Sequence, residues 1–386
     1  MMAKLKLLAS ALTAAGFLAA CGGGGGDSGT PPTPAPKPQV KSIKVVGDSL
    51  SDSGTFGFKF TIQGNDSDGK AFKVWTERIA ASYKLNDLCA HYQGSSEAMS
   101  SYKENASCSN YAVSGAQVNP VTANGEIITT PHSVLKQIED LAKAGLSEDD
   151  LLLAAAGSND AAALIENFMT AAQGNAMPLM MQLSSQLDSK TLNALVAEGQ
   201  SGLAKAGGLY MQKVAALLAA AVKDQLLAKG AKRIALLNIP AITLTPEFAR
   251  VLAVIENTQG SQQAQEMAAL FDDWVKAFNA SLKDAFRDES RVVLADFYAD
   301  FQQQIATPAT YGYTNVTVPA CSLLGIEGDE IYKCSADLLS SNIPKGETAK
   351  DWWSKYMFSN AFHPTPYGHV KMSEIMLNAL AEKGWK

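Results

Sequence analysis

Four short segments, far apart in a chain of 386 residues, carry side chains suited to nucleophilic chemistry. Val45-Val46-Gly47-Asp48-Ser49-Leu50-Ser51-Asp52 puts a serine directly after an apolar run. Asn110-Tyr111-Ala112-Val113-Ser114-Gly115-Ala116 ends in small residues, Gly157-Ser158-Asn159-Asp160 offers an amide, and Phe362-His363-Pro364-Thr365 offers an imidazole. Attack on a carbonyl needs a hydroxyl with an adjacent base, and imidazole suits the base because its pKa lies near operating pH. The oxyanion that forms needs hydrogen-bond donors aimed at it. A glycine lets its backbone N–H approach without a Cβ in the way, and an asparagine amide donates without a charge to neutralise. Gly-Asp-Ser alone reads as a serine-rich turn before a helix cap; the other three segments turn it into a candidate nucleophile.

Bringing such distant groups together is work for a parallel sheet. Apolar runs beginning near residues 42, 109, 151, 233 and 291 read as strands, alternating with helical stretches at Trp75–Tyr83, Val134 to Gly145 and Gln262–Phe286. Ser133 is the expected cap of the second of these helices. That alternation implies βαβ crossovers and a sheet of about five strands covered on both faces. In open α/β sheets ligands bind at the carboxyl ends of the strands, where Ser49, Gly115 and Asn159 fall. His363 lies on a loop before a last helix that Thr365 and Pro366 can open, expected to be buried through Val370, Ile375, Met376 and Leu380. Residues 161–230 form a long alanine-rich helical insertion with methionines at 169, 177, 180 and 181. Methionines at helical spacing usually fill a core; the competing reading makes the insertion a lid over an acyl pocket.

Gly-Asp-Ser-Leu, Asn-Tyr-Ala-Val-Ser-Gly-Ala, Gly-Ser-Asn-Asp and Phe-His-Pro-Thr occur in the order of conserved blocks one, two, three and five of the GDSL, or SGNH, serine esterases and lipases. Residues 42–386 resemble that family nearly throughout. Asn238-Ile239-Pro240, Thr245-Pro246 and Tyr311-Gly312-Tyr313-Thr314-Asn315 are similar to its secreted phospholipase/lecithinase-like branch. The resemblance implies a flavodoxin-like three-layer α/β/α sandwich and no cofactor or metal. It implies Ser49 as nucleophile, His363 as general base, and the Ser49 and Gly115 amides with the Asn159 side chain as oxyanion donors. Asp52 and Asp160 match acidic positions of this branch and read as structural supports. His369 reads as a packing or polar-face residue, and His91 and His132, which match no block, as surface residues.

One position departs from the pattern. Three residues before the histidine the family usually has Asp, and this chain has Asn360. In a serine protease, Asp to Asn at the third triad position costs about 10⁴ in turnover, yet an Asn fills that role in papain-like enzymes. Asn360 therefore orients His363, or another acceptor such as Asp351 substitutes, or activity is lost.

The front of the chain is not fold. Lys4 and Lys6 precede an apolar stretch from Leu7 to about Phe17 and then Leu18-Ala19-Ala20-Cys21, the plan of a secretory signal too short to span a bilayer comfortably. The ending resembles a bacterial lipobox. Residues 1–20 are expected to be a signal peptide and Cys21 the lipidated first residue of an exported lipoprotein. Its place would be the outer membrane, on the periplasmic face or at the cell surface, and several acyl chains on one residue would anchor it stably. Residues 21–41, rich in glycine and then proline, read as a tether, and 42–386 as one hydrolase domain. Without residues 1–20 the formal charge moves from −6 to −8, which does not suit a nucleic-acid partner, since that requires a basic face. Cys89, Cys108, Cys321 and Cys334 are an even set, as expected for disulfides in an exported protein. Proximity favours Cys89–Cys108 and Cys321–Cys334 among three possible pairings, and a zinc site fits these spacings poorly.

The expectation is a cofactor-free hydrolase of small-molecule or lipid esters that acts through an acyl-serine. A polysaccharide O-acetyl esterase and a weak or inactive surface-anchored binding lipoprotein are the alternatives.

Overall fold

The computed structural model describes residues 39–94 and 101–386; the signal segment, Cys21 and the tether through residue 38 lie outside them. In chain order the elements begin with β1 (Ser42–Gly47), α1 (Trp75–Ser82), β2 (Tyr92–Gly94), β3 (Tyr102–Glu104), α2 (Val134–Lys143) and β4 (Asp150–Ala155). A helical run follows: α3 (Ser158–Ala172), α4 (Met177–Ser184), α5 (Ser189–Ala197) and α6 (Gln200–Ala221). Then come β5 (Ile234–Leu237), α7 (Pro246–Gln259), α8 (Ser261–Phe286), β6 (Val292–Ala295) and α9 (Phe297–Ala306). The short α10 (Pro308–Tyr311) and α11 (Ala336–Ser341) lead to α12 (Pro366–Glu382).

The main sheet has the order β1-β4-β5-β6, parallel throughout, with Val45 opposite Leu153, Leu153 opposite Ala235 and Ala235 opposite Val293. Parallel neighbours need crossover connections, which the helices supply. Successive strand residues point to opposite faces, and each face has its own core. Val46, Leu152, Ala154, Ile234, Leu236 and Val292 pack with α2, α3, α6 and α8, while Ile43, Val45, Leu151, Leu153, Ala235 and Val293 pack with α1 and α12. Covering both faces is why the strands read as unbroken apolar runs. The result is a mixed α/β fold with helices on both sides of a parallel sheet.

The sheet has four strands rather than about five. The segment after residue 109 does run beside β1, through Val45 N to Ser109 O, Tyr111 N to Val45 O and Val113 N to Gly47 O. It does not extend into a strand. Asn110 is shared with the Cys89–Ala90 segment, and the chain turns away at Ser114-Gly115. The polar stretch before it carries the small β2–β3 hairpin.

The insertion packs as a structural layer. Leu164, Phe168, Leu183, Tyr210, Met211 and Val214 are buried in the same core as the sheet face, and Trp274 of α8 lies against the Gly207 backbone of α6. The methionine cluster is not core filler throughout: Met177 is 61% exposed, while Met169 and Met180 pack on the core's margin. Ser133 stands at the N-cap of α2 without its side chain making the capping bond. The buried face of α12 is His369, Met372, Ser373, Met376 and Leu380, with Val370 and Ile375 only half-buried. Both disulfides form as proximity suggested, Cys89–Cys108 and Cys321–Cys334.

Candidate active site

The end of β1 is shaped by Gly47. Its φ is +149°, and a Cβ there would sit 2.4 Å from the Ala155 carbonyl oxygen of β4, so only glycine lets the chain leave the sheet at this point. The buried Gln137 side chain satisfies both of its backbone groups, accepting from Gly47 N (2.8 Å) and donating to Gly47 O (3.0 Å). The turn that follows is tied by Ser51 N to Asp48 O and by Leu50 N to the Asp48 carboxylate. Ser49 sits on that turn and is 5% exposed.

His363 reaches it from the opposite end of the chain. Its Nε2 lies 2.8 Å from Ser49 Oγ, and its Nδ1 lies 3.0 Å from Asn360 Oδ1. The Asn360 amide has one orientation that satisfies its surroundings. Oδ1 accepts from Phe362 N (3.1 Å) and His363 N (2.7 Å), and Nδ2 donates to Gly328 O (3.1 Å). An acceptor at Nδ1 places the ring proton there and leaves the Nε2 lone pair facing the serine hydroxyl. The ring lies against Phe60, centroids 4.9 Å apart, and Phe362. Burial among such neighbours brings the imidazole pKa down to about 4. Asp351 lies at an exposed position and the Nδ1 contact is filled by Asn360.

The loop carrying Gly115 is clamped on both sides. The Ser114 amide donates to Asp52 Oδ2 (3.0 Å), and the Val118 and Asn119 amides donate to the two oxygens of Asp160 (both 2.8 Å). Asp52 also accepts from Gly54 N and Thr55 N. Asn159 joins the same loop, its Nδ2 donating to Ala116 O at 3.0 Å, which leaves one amide hydrogen free. Gly115 has φ +74°, a conformation that suits glycine. The Ser49 and Gly115 amides donate to no group among the described residues. Ser49, Ser158 and Asn159 line a small cavity of about 40 Å³ whose other walls include Pro240, Phe358 and Phe362.

Three buried carboxyls surround this turn. Burial pushes Asp48 up to about 7, with Asp160 and Asp52 adding repulsion, and it pushes Asp52 and Asp160 each up to about 6. His369 is fully buried and accepts from Trp75 N through Nδ1 (3.3 Å), so it is a packing residue rather than a polar-face one. His91 and His132 are not surface residues either. His91 is buried and stacked on Tyr111 with centroids 4.0 Å apart, and His132 is half-buried beside Gly115.

Sequence reasoning missed Gln137, Gly328 and Phe60. Gln137 left a signal, being a polar residue in phase with Val134, Ile138 and Leu141 on the apolar face of α2. Gly328 acts through its carbonyl and left none beyond its place between Cys321 and Cys334.

A hydroxyl held against a neutral imidazole, with free backbone amides and a carboxamide around it, is the equipment of an acyl-transferring hydrolase. The chain belongs to the GDSL-like lipase/acylhydrolase family, whose model matches residues 43–376. It is 23% identical over 371 residues to the anther-specific proline-rich protein APG of Arabidopsis thaliana, an alignment covering 88% of this chain and 61% of that protein. The chain thus spans about three fifths of the length of that relative. Among solved structures it is similar to an extracellular lipase from Streptomyces rimosus, with 14% identity, coverage of 88% and 99% of the two chains, and a TM-score of 0.40.

Proposed function

We propose that the protein is an exported, lipid-anchored carboxylic-ester hydrolase of lipase or phospholipase type that works through an acyl-serine. The observation that carries this reading is the unbroken contact from Ser49 Oγ through His363 to Asn360 Oδ1. His363 Nε2 takes the Ser49 proton as Oγ bonds to the ester carbonyl carbon. The carbonyl electron pair moves onto oxygen, where the Ser49 amide, the Gly115 amide and Asn159 Nδ2 receive it. Collapse breaks the bond to the alkoxy group, which leaves with the proton from Nε2. Water, deprotonated by the same nitrogen, then attacks the acyl-serine, and expulsion of Oγ releases the acid. Asn360 holds the ring tautomer throughout but adds no charge to the imidazolium. The lipobox-like Leu18-Ala19-Ala20-Cys21 supports lipidation at Cys21 and export to the outer membrane.

Hydrolysis of p-nitrophenyl esters by the mature protein, Ser49→Ala and His363→Ala tests this reading. Each substitution is expected to lower kcat by about 10⁵ or more, as removal of a nucleophile or base does in other serine hydrolases. Turnover unaffected by Ser49→Ala ends the nucleophile assignment.

A further inference from the structure

A groove of about 560 Å³ starts at Asn159 and Phe362 and runs outward between α3 and α7. Its walls are Ala162, Ile165 and Met169 on one side and Phe248, Val251 and Val254 on the other. These positions are three or four residues apart along each helix, or two such steps, so each set forms a stripe on one helix face. Val254 is 61% exposed, an apolar side chain left toward solvent at the groove's outer end. The polar lining includes the carboxylates of Glu166 and Glu247 but no lysine or arginine. α7 is fastened to the histidine loop at the inner end, where Glu247 N donates to Ala361 O at 3.0 Å.

We infer that this groove binds the acyl chain of the substrate, a neutral unbranched chain of about eight to twelve carbons. The inference rests on the assignment of Ser49 as nucleophile and Asn159 as oxyanion donor. An ester carbonyl held at Asn159 has the groove directly beside it, so the hydrocarbon on the carbonyl carbon enters apolar surroundings without crossing the site. Anionic groups are disfavoured there, because the carboxylates of Glu166 and Glu247 border the groove and Arg250, 3.9 Å from Glu247, is engaged more closely by Glu327 at 3.1 Å. The length follows from α3. From Asn159 to Met169 the helix rises about 15 Å, and an extended chain of C–C bonds of about 1.5 Å advances about 1.3 Å per carbon. The cavity at Ser49 itself, about 40 Å³ against the groove's 560 Å³, has far less room.

The experiment compares kcat/KM for p-nitrophenyl acetate, octanoate and decanoate in the mature protein, Val251→Trp and Val254→Trp. The native protein is expected to favour octanoate and decanoate over acetate. Val251→Trp is expected to reduce the octanoate-to-acetate ratio by about tenfold, the effect of keeping about two methylene groups out of apolar contact, and Val254→Trp to reduce the decanoate-to-octanoate ratio. Circular dichroism melting establishes that each variant is folded. Calorimetric binding of methyl octanoate to Ser49→Ala, with and without Val251→Trp, reads the groove without any turnover. A loss of affinity of about tenfold supports it even if Ser49 proves not to be the nucleophile. Unchanged ratios in folded variants, or a shift in preference for the alcohol chain of ethyl and octyl acetates instead of the acyl chain, overturn it.

Discussion

Replacing Asn360 by Asp gives the imidazole a charged partner and removes a bond the amide now makes. In the transition state His363 becomes positive, and a carboxylate with its charge about 4 Å away at an effective dielectric of about 20 is worth about 4 kcal/mol. At about 1.4 kcal/mol per unit, that raises the imidazole pKa by roughly two to three units. Two backbone amides, Phe362 N and His363 N, already point at Oδ1 and would hold a carboxylate well. Against this, Nδ2 donates to Gly328 O at 3.1 Å. An Asp oxygen there faces a carbonyl oxygen, which costs about 1–3 kcal/mol. The charge therefore wins, but narrowly.

The assay is kcat/KM for a p-nitrophenyl ester from pH 4 to 9, followed by pH-stat. A base acts only when neutral, so activity rises as pH passes upward through its pKa. Burial brings the native imidazole down to about 4, and the native protein is expected to stay active well below pH 6. In Asn360→Asp the acidic limb is expected to move up by about two units, with a plateau about tenfold higher at pH 8 and a lower melting temperature. An acidic limb that stays in place, with an unchanged plateau, refutes the contact between Asn360 and the working imidazole.

Asn159→Ala removes a side-chain oxyanion donor and is expected to lower kcat by about 10²–10³ with KM little altered, as read from initial rates. Asp48→Asn tests linkage: a carboxyl raised from 3.8 to about 7 favours folding while protonated, and that contribution is lost as pH rises from about 4 through 7. The variant is therefore expected to match the native protein near pH 4 and to exceed it by up to about 4 kcal/mol at pH 8 in denaturant titrations. Replacing Cys321 and Cys334 together by serine frees the loop whose Gly328 carbonyl orients Asn360. A drop in kcat exceeding any change in KM is expected, and a change in stability alone counts against the positioning role.

Most of the scaffold was legible because its physics is local. Strands buried on both faces show as apolar runs, and Val45, Leu153 and Leu237 declare themselves that way. The short spacings of Cys89 to Cys108 and Cys321 to Cys334 made the pairing readable too. What failed was tertiary. The stretch after residue 109 has strand composition, but Asn110 divides its bonds between two neighbours, and no sequence pattern records that competition. His91 looked like a surface residue because its burial depends on the stacked ring of Tyr111, on a segment paired with it through His91 N to Asn110 O. Helix α7, half of the proposed acyl groove, was in fact readable: it follows Thr245-Pro246 and carries Phe248, Val251, Leu252 and Ile255 at helical spacing. Gly328 acts through a carbonyl, which every residue has.

The buried carboxyls give the site its selectivity among backbone donors. Asp48 accepts from Leu50, Asp52 accepts from Gly54, Thr55 and Ser114, and Asp160 accepts from Val118 and Asn119. Two of these bonds engage the neighbouring amides, Leu50 next to Ser49 and Ser114 next to Gly115, and the others tie down the same two loops, while the Ser49 and Gly115 N–H groups have no partner among the described residues. Fixed donors cost no reorganisation when an oxyanion forms. The same arrangement gives Asn360 a physical context. Three acids already share this buried turn, and their repulsion helps push Asp48 to about 7. A neutral third partner for His363 adds no fourth charge, and with the ring's own burial it keeps the base unprotonated far into acid. Under the proposed mechanism, Asn360 gives up imidazolium stabilisation in exchange for a wider working range of pH.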